Sequence, residues 1–110
     1  MDNVKNDGYY LEKIIMDLKF LIAHTKNLTL EEMQSNEVLL DSIMFRLVQI
    51  SENSNRLTDE FKKRNQQIPW SAIRGLRNRI VHDYGDVDLT VIYDAVKTDV
   101  PELLQYLNSI

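Results

Sequence analysis

Apolar residues recur along this chain every three or four positions, the spacing that places them on one face of a helix. A first apolar face lies within residues 8–25 and consists of Leu11, Ile14, Ile15, Leu18, Leu21 and Ile22. A second consists of Leu40, Ile43, Met44, Leu47 and Ile50, and its helix could continue through Leu57. The pattern therefore predicts two long amphipathic helices in the first half of the chain.

Capping residues predict where the shorter helical pieces begin. Thr29 and Glu32 have the spacing of a capping box. Thr58 is a suitable N-cap for a short helix over residues 59–65, after which residues 66–69 form a connection, because the residue before a proline avoids helical angles.

The second half of the chain carries two further helical segments. Pro69 and Trp70 open a helix whose apolar face is Ile73, Leu76 and Ile80 and which is expected to fray near Gly85. Asp88 is a good N-cap for a last segment, which Pro101 should kink or split. The apolar residues of this last segment are Val91, Ile92, Val96, Leu103, Leu104 and Leu107.

These elements predict an all-α fold, an antiparallel bundle of four to five helices forming a single domain over residues 1–110. A chain of 110 residues buries a smaller fraction of its surface than a larger one, so an interface with a second copy would add stability.

The composition limits the cell compartments and the kinds of site that are expected for this chain. The chain has no cysteine, which excludes disulfides and thiolate metal sites. The polar stretch of residues 1–6 does not resemble a signal peptide, and no apolar run approaches the length needed to span a bilayer. We therefore expect a cytoplasmic protein that does not contact membranes.

Charge is distributed unevenly. The net charge is −4, but residues 62–79 contain no acidic residue. The basic residues of this stretch are Lys62, Lys63, Arg64, Arg74, Arg77 and Arg79. A local basic patch on an acidic body predicts selective binding of an anion.

The one specific motif of the chain begins within this basic stretch and ends a few residues after it. Arg77 is followed by Asn78, by His82 five positions on, and then by Tyr84. This pattern resembles the Arg-x4-His-x-Tyr motif of HEPN ribonucleases, in particular the HepT-like toxins paired with minimal nucleotidyltransferase antitoxins. The resemblance extends through residues 45–52, 57–61 and 68–70 and so covers most of the chain; it departs at Ser51, where a glycine is expected.

The resemblance implies a fold, an activity and a mode of control. It implies a helical HEPN bundle that forms a homodimer, with two motifs meeting in a cleft, and RNA cleavage that needs no metal or other cofactor. It also implies that a partner nucleotidyltransferase uses ATP to attach AMP to Tyr84, which silences the toxin. Transfer RNA and messenger RNA are both open as substrates.

The motif residues suit metal-free RNA cleavage, in which the neighbouring 2′-hydroxyl attacks the phosphate. Histidine has an ordinary pKa of about 6.5 and can transfer protons near neutral pH, so His82 is the candidate acid or base. Arg77 is the candidate to bind the extra negative charge of the transition state. Asn78 could hold the phosphate or orient His82, and Arg74 and Arg79 are candidates to contact the RNA backbone.

Helix geometry does not place these residues on one face of the helix. Asn78 and His82 share a face, whereas Arg77 lies about 140° from His82, at the border of the apolar stripe. Either the arginine side chain reaches around to His82, or a second copy of the helix supplies its partners. A purely structural ion pair is the alternative, with three acids as possible partners: Asp83, Asp86 and Glu52. Glu52 is also a candidate to project toward the cleft.

Three other functions are alternatives to RNA cleavage. A non-catalytic HEPN module that binds a nucleotide or a nucleotidyltransferase is the main rival, and a plain helical adaptor is the second. A phosphotransfer histidine bundle is disfavoured by the residues that follow His82. His24 and the run from Lys62 to Arg64 are expected to be structural or solvated, and no histidine pair has metal-ligand spacing.

Overall fold

The computed structural model describes residues 5–110; residues 1–4, which the predicted single domain includes, lie outside the described residues. Within that range the chain is helical and contains no strand, which confirms the all-α prediction. Its elements are α1 Asp7–Thr25, α2 Leu30–Ser35, α3 Glu37–Asn55, α4 Asp59–Arg64, α5 Trp70–His82, α6 Leu89–Asp94, a π-helical turn Ala95–Asp99 and α7 Val100–Ser109. No helix within residues 5–110 is both long and apolar enough to cross a membrane.

The core forms where the two longest helices, α1 and α3, pack against each other, with α7 against α1 and α5 against α3. Leu18, Leu21 and Ile43 are completely buried there. They belong to the two apolar stripes predicted from the sequence, and burial of such stripes is the main favourable contribution to folding. α5 packs on α3, and that contact positions the motif.

Local capping bonds begin the short helices as predicted. The Glu32 backbone N–H donates to Thr29 Oγ1 over 3.1 Å, and the Thr29 backbone N–H donates to Glu32 Oε1 over 3.0 Å. The bond from the Thr29 backbone lowers the pKa of the Glu32 carboxyl. Thr58 caps α4 by accepting from the Phe61 backbone N–H at 3.2 Å. These caps join residues only three positions apart, which is why the sequence alone predicts them.

The second long helix ends earlier than the apolar pattern suggested. α3 ends at Asn55, so the predicted continuation through Leu57 is wrong. The Arg56 backbone N–H donates to the Asn53 carbonyl over 3.2 Å, a tightened bond that closes the last turn. Leu57 is nevertheless only 4% exposed, because the turn itself carries its side chain into the core.

The predicted interruption near Pro101 is confirmed and takes the form of a π-helical turn. Proline cannot donate a backbone hydrogen bond, and its ring crowds the carbonyl four residues earlier. The backbone widens just before it, where the Val100 N–H donates to the Ala95 carbonyl five positions back. α7 then continues from Val100, with Pro101 in its first turn.

A buried hydroxyl on α3 leads to a stability prediction. Ser51 is fully buried, and within residues 5–110 its Oγ has no hydrogen-bond partner. We expect Ser51→Ala to raise the free energy of unfolding by about 1 kcal/mol, because it removes an unsatisfied polar group and improves helix propensity. Urea denaturation measures this change.

Ser54 supplies the matched control, because it is also buried on α3 but its Oγ donates to the Ile50 carbonyl over 2.7 Å. Ser54→Ala should bring less stabilisation than Ser51→Ala, or none. An unfolding midpoint for Ser51→Ala below that of the parent chain would contradict the interpretation.

Candidate active site

The helix that carries the motif buries only one side of itself. Ile80 is buried, and Ile73 and Leu76 pack partly against the core, as their spacing predicted. Asn78 and His82 lie one turn apart on the opposite, exposed side of α5. Both polar motif side chains are therefore accessible to a ligand from solvent.

Arg77 forms an ion pair with Glu52 of α3. Its Nε donates to Glu52 Oε1 over 2.8 Å, and the two side chains are 30% and 38% exposed. Of the three acids proposed from the sequence as possible partners, the structure selects Glu52. The charge of Arg77 is thus balanced within its own chain and needs no second copy for that purpose.

The arginine also turns toward the exposed side of its helix. Arg77 Nη1 donates to Asn78 Oδ1 over 3.3 Å. Because Asn78 shares a face with His82, this bond joins Arg77 to the surface on which His82 lies. In the described part of the chain the arginine bonds through Nε and Nη1, which leaves Nη2 free to bind an anion.

Tyr84 lies in the turn after α5 and contacts α3 rather than its own helix. Its hydroxyl donates a hydrogen bond to Asp41 Oδ1, and the residue is 50% exposed. The hydrogen bond to the Asp41 carboxylate raises the pKa of the Tyr84 hydroxyl, since the nearby negative charge disfavours a phenolate. Near neutral pH, Tyr84 is therefore a protonated phenol.

Asp41 was not among the residues singled out from the sequence, because it lies 43 positions before Tyr84. Asp41 and Glu52 are eleven residues apart on α3, three helical turns that bring them to nearly the same side. Glu52 thus contacts Arg77 at the start of the motif, and Asp41 contacts Tyr84 at its end. Both contacts are possible because α3 and α5 run antiparallel.

Exposed apolar side chains surround these polar contacts. Phe45 is 58% exposed, and Val38 on the same side of α3 is 82% exposed. We call this surface the α3–α5 face, and its residues are Val38, Asp41, Phe45, Glu52, Arg77, Val81 and Tyr84. Large exposed apolar residues next to polar contacts are typical of an interaction surface.

The two arginines predicted to contact RNA lie on different flanks of α5. Arg74 is exposed one turn before Asn78, on the same ridge. Arg79 lines a groove of about 530 Å³ between α5 and α7, whose other wall includes Asp99 and Tyr106. Arg74 thus adjoins the motif residues, whereas Arg79 faces the groove.

The remaining candidates lie apart from the motif. The His24 ring lies 4.2 Å from that of Phe20, its neighbour on α1. Arg64 of α4 forms a 3.6 Å ion pair with Glu60, and both side chains are well exposed. Within residues 5–110 no group of three or more His, Cys, Asp or Glu side chains is arranged to hold a metal ion.

Comparison with known proteins also indicates a ribonuclease. Residues 14–110 match the family described as Ribonuclease HepT-like. A protein from Caldanaerobacter subterraneus subsp. tengcongensis, whose name assigns it provisionally as an RNase, is 30% identical over 107 residues, covering 97% of this chain and 96% of the relative. A protein from Thermococcus cleftensis named probable ribonuclease HepT is 28% identical over 94 residues, which is 86% of each chain. No solved structure gives a significant match.

Proposed function

This chain belongs to the HepT-like ribonuclease family, an assignment that makes it an endoribonuclease, and we propose that it is a metal-independent toxin of a toxin–antitoxin system. The observation that carries the proposal is the exposed surface formed by Arg77, Asn78 and His82, with Arg77 Nη2 free to receive a phosphate oxygen. The Arg-x4-His-x-Tyr motif is the part of this surface that acts on RNA.

The cleavage step uses groups that RNA itself supplies. The 2′-hydroxyl attacks the adjacent phosphorus, the bond to the 5′-oxygen of the next nucleotide breaks, and a cyclic phosphate and a 5′-hydroxyl result. His82 transfers a proton in this step, either from the attacking oxygen or to the leaving one. Arg77 stabilises the charge that develops on the non-bridging oxygens, and Asn78 holds the phosphate.

Glu52 has a defined part in this arrangement. By accepting from Arg77 Nε, it fixes the plane in which the guanidinium lies. A guanidinium held in one orientation loses less conformational freedom when it binds a phosphate. Glu52 is thus a positioning residue in the proposed site.

The functional unit in this proposal is a homodimer with its RNA cleft between two copies. The exposed apolar residues of the α3–α5 face support it, because a second copy would remove Val38, Phe45 and Val81 from water. Such a pairing places two copies of the motif on the two sides of one cleft.

Control of the toxin is proposed to act on Tyr84. A partner nucleotidyltransferase supplies ATP: Tyr84 Oη attacks the α-phosphorus, the bond to pyrophosphate breaks, and the phenolic proton is released. The position of Tyr84 supports this proposal, since the residue is half-exposed and within reach of another protein. The attached AMP adds bulk and negative charge beside the cleft, which repels RNA.

RNA cleavage by the purified chain tests the activity. In excess chelator, the wild type should cut RNA and leave 5′-hydroxyl and cyclic-phosphate ends. A wild type that is inert on all RNA offered, but binds a nucleotide or the transferase, would instead support the rival hypothesis of a non-catalytic HEPN module.

Replacement of Tyr84 tests the control. Both toxins are expressed at a level at which each arrests growth on its own. When a minimal nucleotidyltransferase is then co-expressed, growth should recover for the wild-type toxin and not for Tyr84→Phe, because only the former offers a hydroxyl. Mass spectrometry should find added AMP on the wild type alone. Tyr9→Phe, a change of the same kind on α1, should still be silenced, and silencing of Tyr84→Phe with AMP on another residue would place the modification elsewhere.

A further inference from the structure

A tertiary contact ties the turn after α5 to the neighbouring helix. This turn, residues 83–88, begins directly after His82, the last residue of α5. Its own backbone bonds are local: the Asp83 N–H donates to the Arg79 carbonyl over 2.9 Å, and the Asp86 N–H donates to the Asp83 carbonyl. Tyr84 adds the bond to Asp41, which connects the turn to α3.

Asp41 is not engaged by any other charged group in the described chain. Within residues 5–110 it takes part in no ion pair, and its carboxylate meets the Tyr84 hydroxyl. Val38 and Phe45, one turn away on either side, are exposed apolar residues. Within residues 5–110, the Tyr84 hydroxyl is therefore the one side-chain partner of the Asp41 carboxylate.

Helix ends fray unless something outside the helix holds them. His82 occupies the last helical position, and its exposed side chain does not pack into the core. Its orientation therefore depends on whether the following turn stays in place. The contact between Tyr84 and Asp41 lies two residues after His82 and connects the turn to α3.

We propose that Asp41 is a positioning residue: it holds the Tyr84 hydroxyl, fixes the turn after α5, and so keeps His82 in its working orientation. The inference rests on the proposed RNA cleavage and deepens its control. AMP attached to Tyr84 Oη removes the donated hydrogen and brings a negative phosphate against the Asp41 carboxylate. Modification thus breaks the contact as well as filling the cleft, and it releases the turn that orients His82.

A set of matched variants separates positioning from general stability. Asp41→Ala removes the acceptor, whereas Asp41→Asn keeps a carbonyl oxygen that can accept from Tyr84 and loses only the charge. We expect kcat to fall about tenfold in Asp41→Ala and to stay within about twofold of wild type in Asp41→Asn, as loss of one hydrogen bond to a charged group predicts. Asp86→Ala, which removes another exposed acid from the same part of the chain, should leave kcat unchanged.

A double-mutant cycle shows whether Asp41 acts through Tyr84. Tyr84→Phe should lower kcat as much as Asp41→Ala, and the double variant should show no further loss, because both changes remove one bond. Independent losses that multiply in the double variant would overturn the proposal.

Two measurements report on the contact without using activity. Hydrogen exchange of the Asp83 amide should be faster in Asp41→Ala and Tyr84→Phe, and close to wild type in Asp41→Asn. In a carbon-13 tyrosine NMR titration, Tyr84 should have the raised pKa in the wild type and an ordinary one in Asp41→Ala, which removes both the acceptor and the charge. A wild-type Tyr84 that titrates like an exposed tyrosine would mean that the contact is absent in solution.

The outcomes distinguish this inference from the proposed function. A wild type that cuts RNA, with Asp41→Ala equally active and the Asp83 amide unaffected, overturns the role of Asp41 and leaves the ribonuclease intact. A wild type that cuts no RNA overturns the ribonuclease and with it any role of Asp41 in catalysis, while exchange and titration still decide whether Asp41 holds the turn.

Discussion

His82→Ala should reduce RNA cleavage about 10²- to 10⁴-fold, the range expected when a proton-transfer group is removed from an active site. The substitution leaves the 2′-hydroxyl and the arginine in place but removes the group that moves the proton. Single-turnover cleavage of a labelled RNA measures the loss. In cells, induced expression of the wild type should arrest growth, whereas expression of His82→Ala should not.

A loss of activity in His82→Ala should not come from unfolding. His82 is exposed on α5, so its removal should change the free energy of unfolding by no more than about 0.5 kcal/mol. His24→Ala is the matched control, because His24 is the other histidine and lies on α1 beside Phe20. If His82→Ala cut RNA as fast as wild type, the motif would not be the catalytic site.

Arg77→Ala should lower kcat about 10²- to 10³-fold, because it removes the donor aimed at the charge that develops on the phosphate. It should also destabilise the chain by about 1 kcal/mol, since Glu52 loses its partner at a site that is still one-third exposed. Arg77→Lys keeps the charge. One ammonium group, however, cannot reproduce the planar geometry that reaches Glu52 and Asn78 together, so this variant should remain at least about tenfold below wild type.

Comparing Arg77→Ala with Glu52→Ala separates catalysis from structure. If Arg77 serves only as an ion-pair partner, both variants should lose equal stability. The cleavage rate of each should then fall only in proportion to the fraction of molecules that remain folded. In the catalytic interpretation, Arg77→Ala loses far more activity than Glu52→Ala at the same temperature. Arg64→Ala is the arginine control, because its exposed pair with Glu60 on α4 lies outside the proposed site.

Most of the helical fold could be predicted from the sequence, and the reason is that its determinants are local. Thr29 and Thr58 cap helices through residues three positions away, and Pro101 disturbs the backbone immediately before it. Leu57 was the exception. Its apolar side chain continues the stripe of α3 in the sequence, but the core receives it from a turn, and only the packed structure distinguishes those two cases.

The composition of the candidate site could also be predicted, but its geometry could not. Arg77, Asn78, His82 and Tyr84 stand within eight positions, and their chemistry suits the RNA cleavage that the resemblance to HEPN ribonucleases implied. The sequence left three acids open as partners of Arg77. Packing of α5 on α3 brings Glu52 to 2.8 Å from the arginine.

By itself, the sequence determined that this protein is helical and carries a motif of the HepT type, because helix periodicity, capping and motif spacing act over a few residues. Only the tertiary structure decided how the motif is held. Glu52 meets Arg77 from 25 positions away and Asp41 meets Tyr84 from 43, and both contacts exist because α3 and α5 pack side by side in opposite directions. Periodicity within one helix predicts which residues share a face, but it cannot say which face of another helix they will meet.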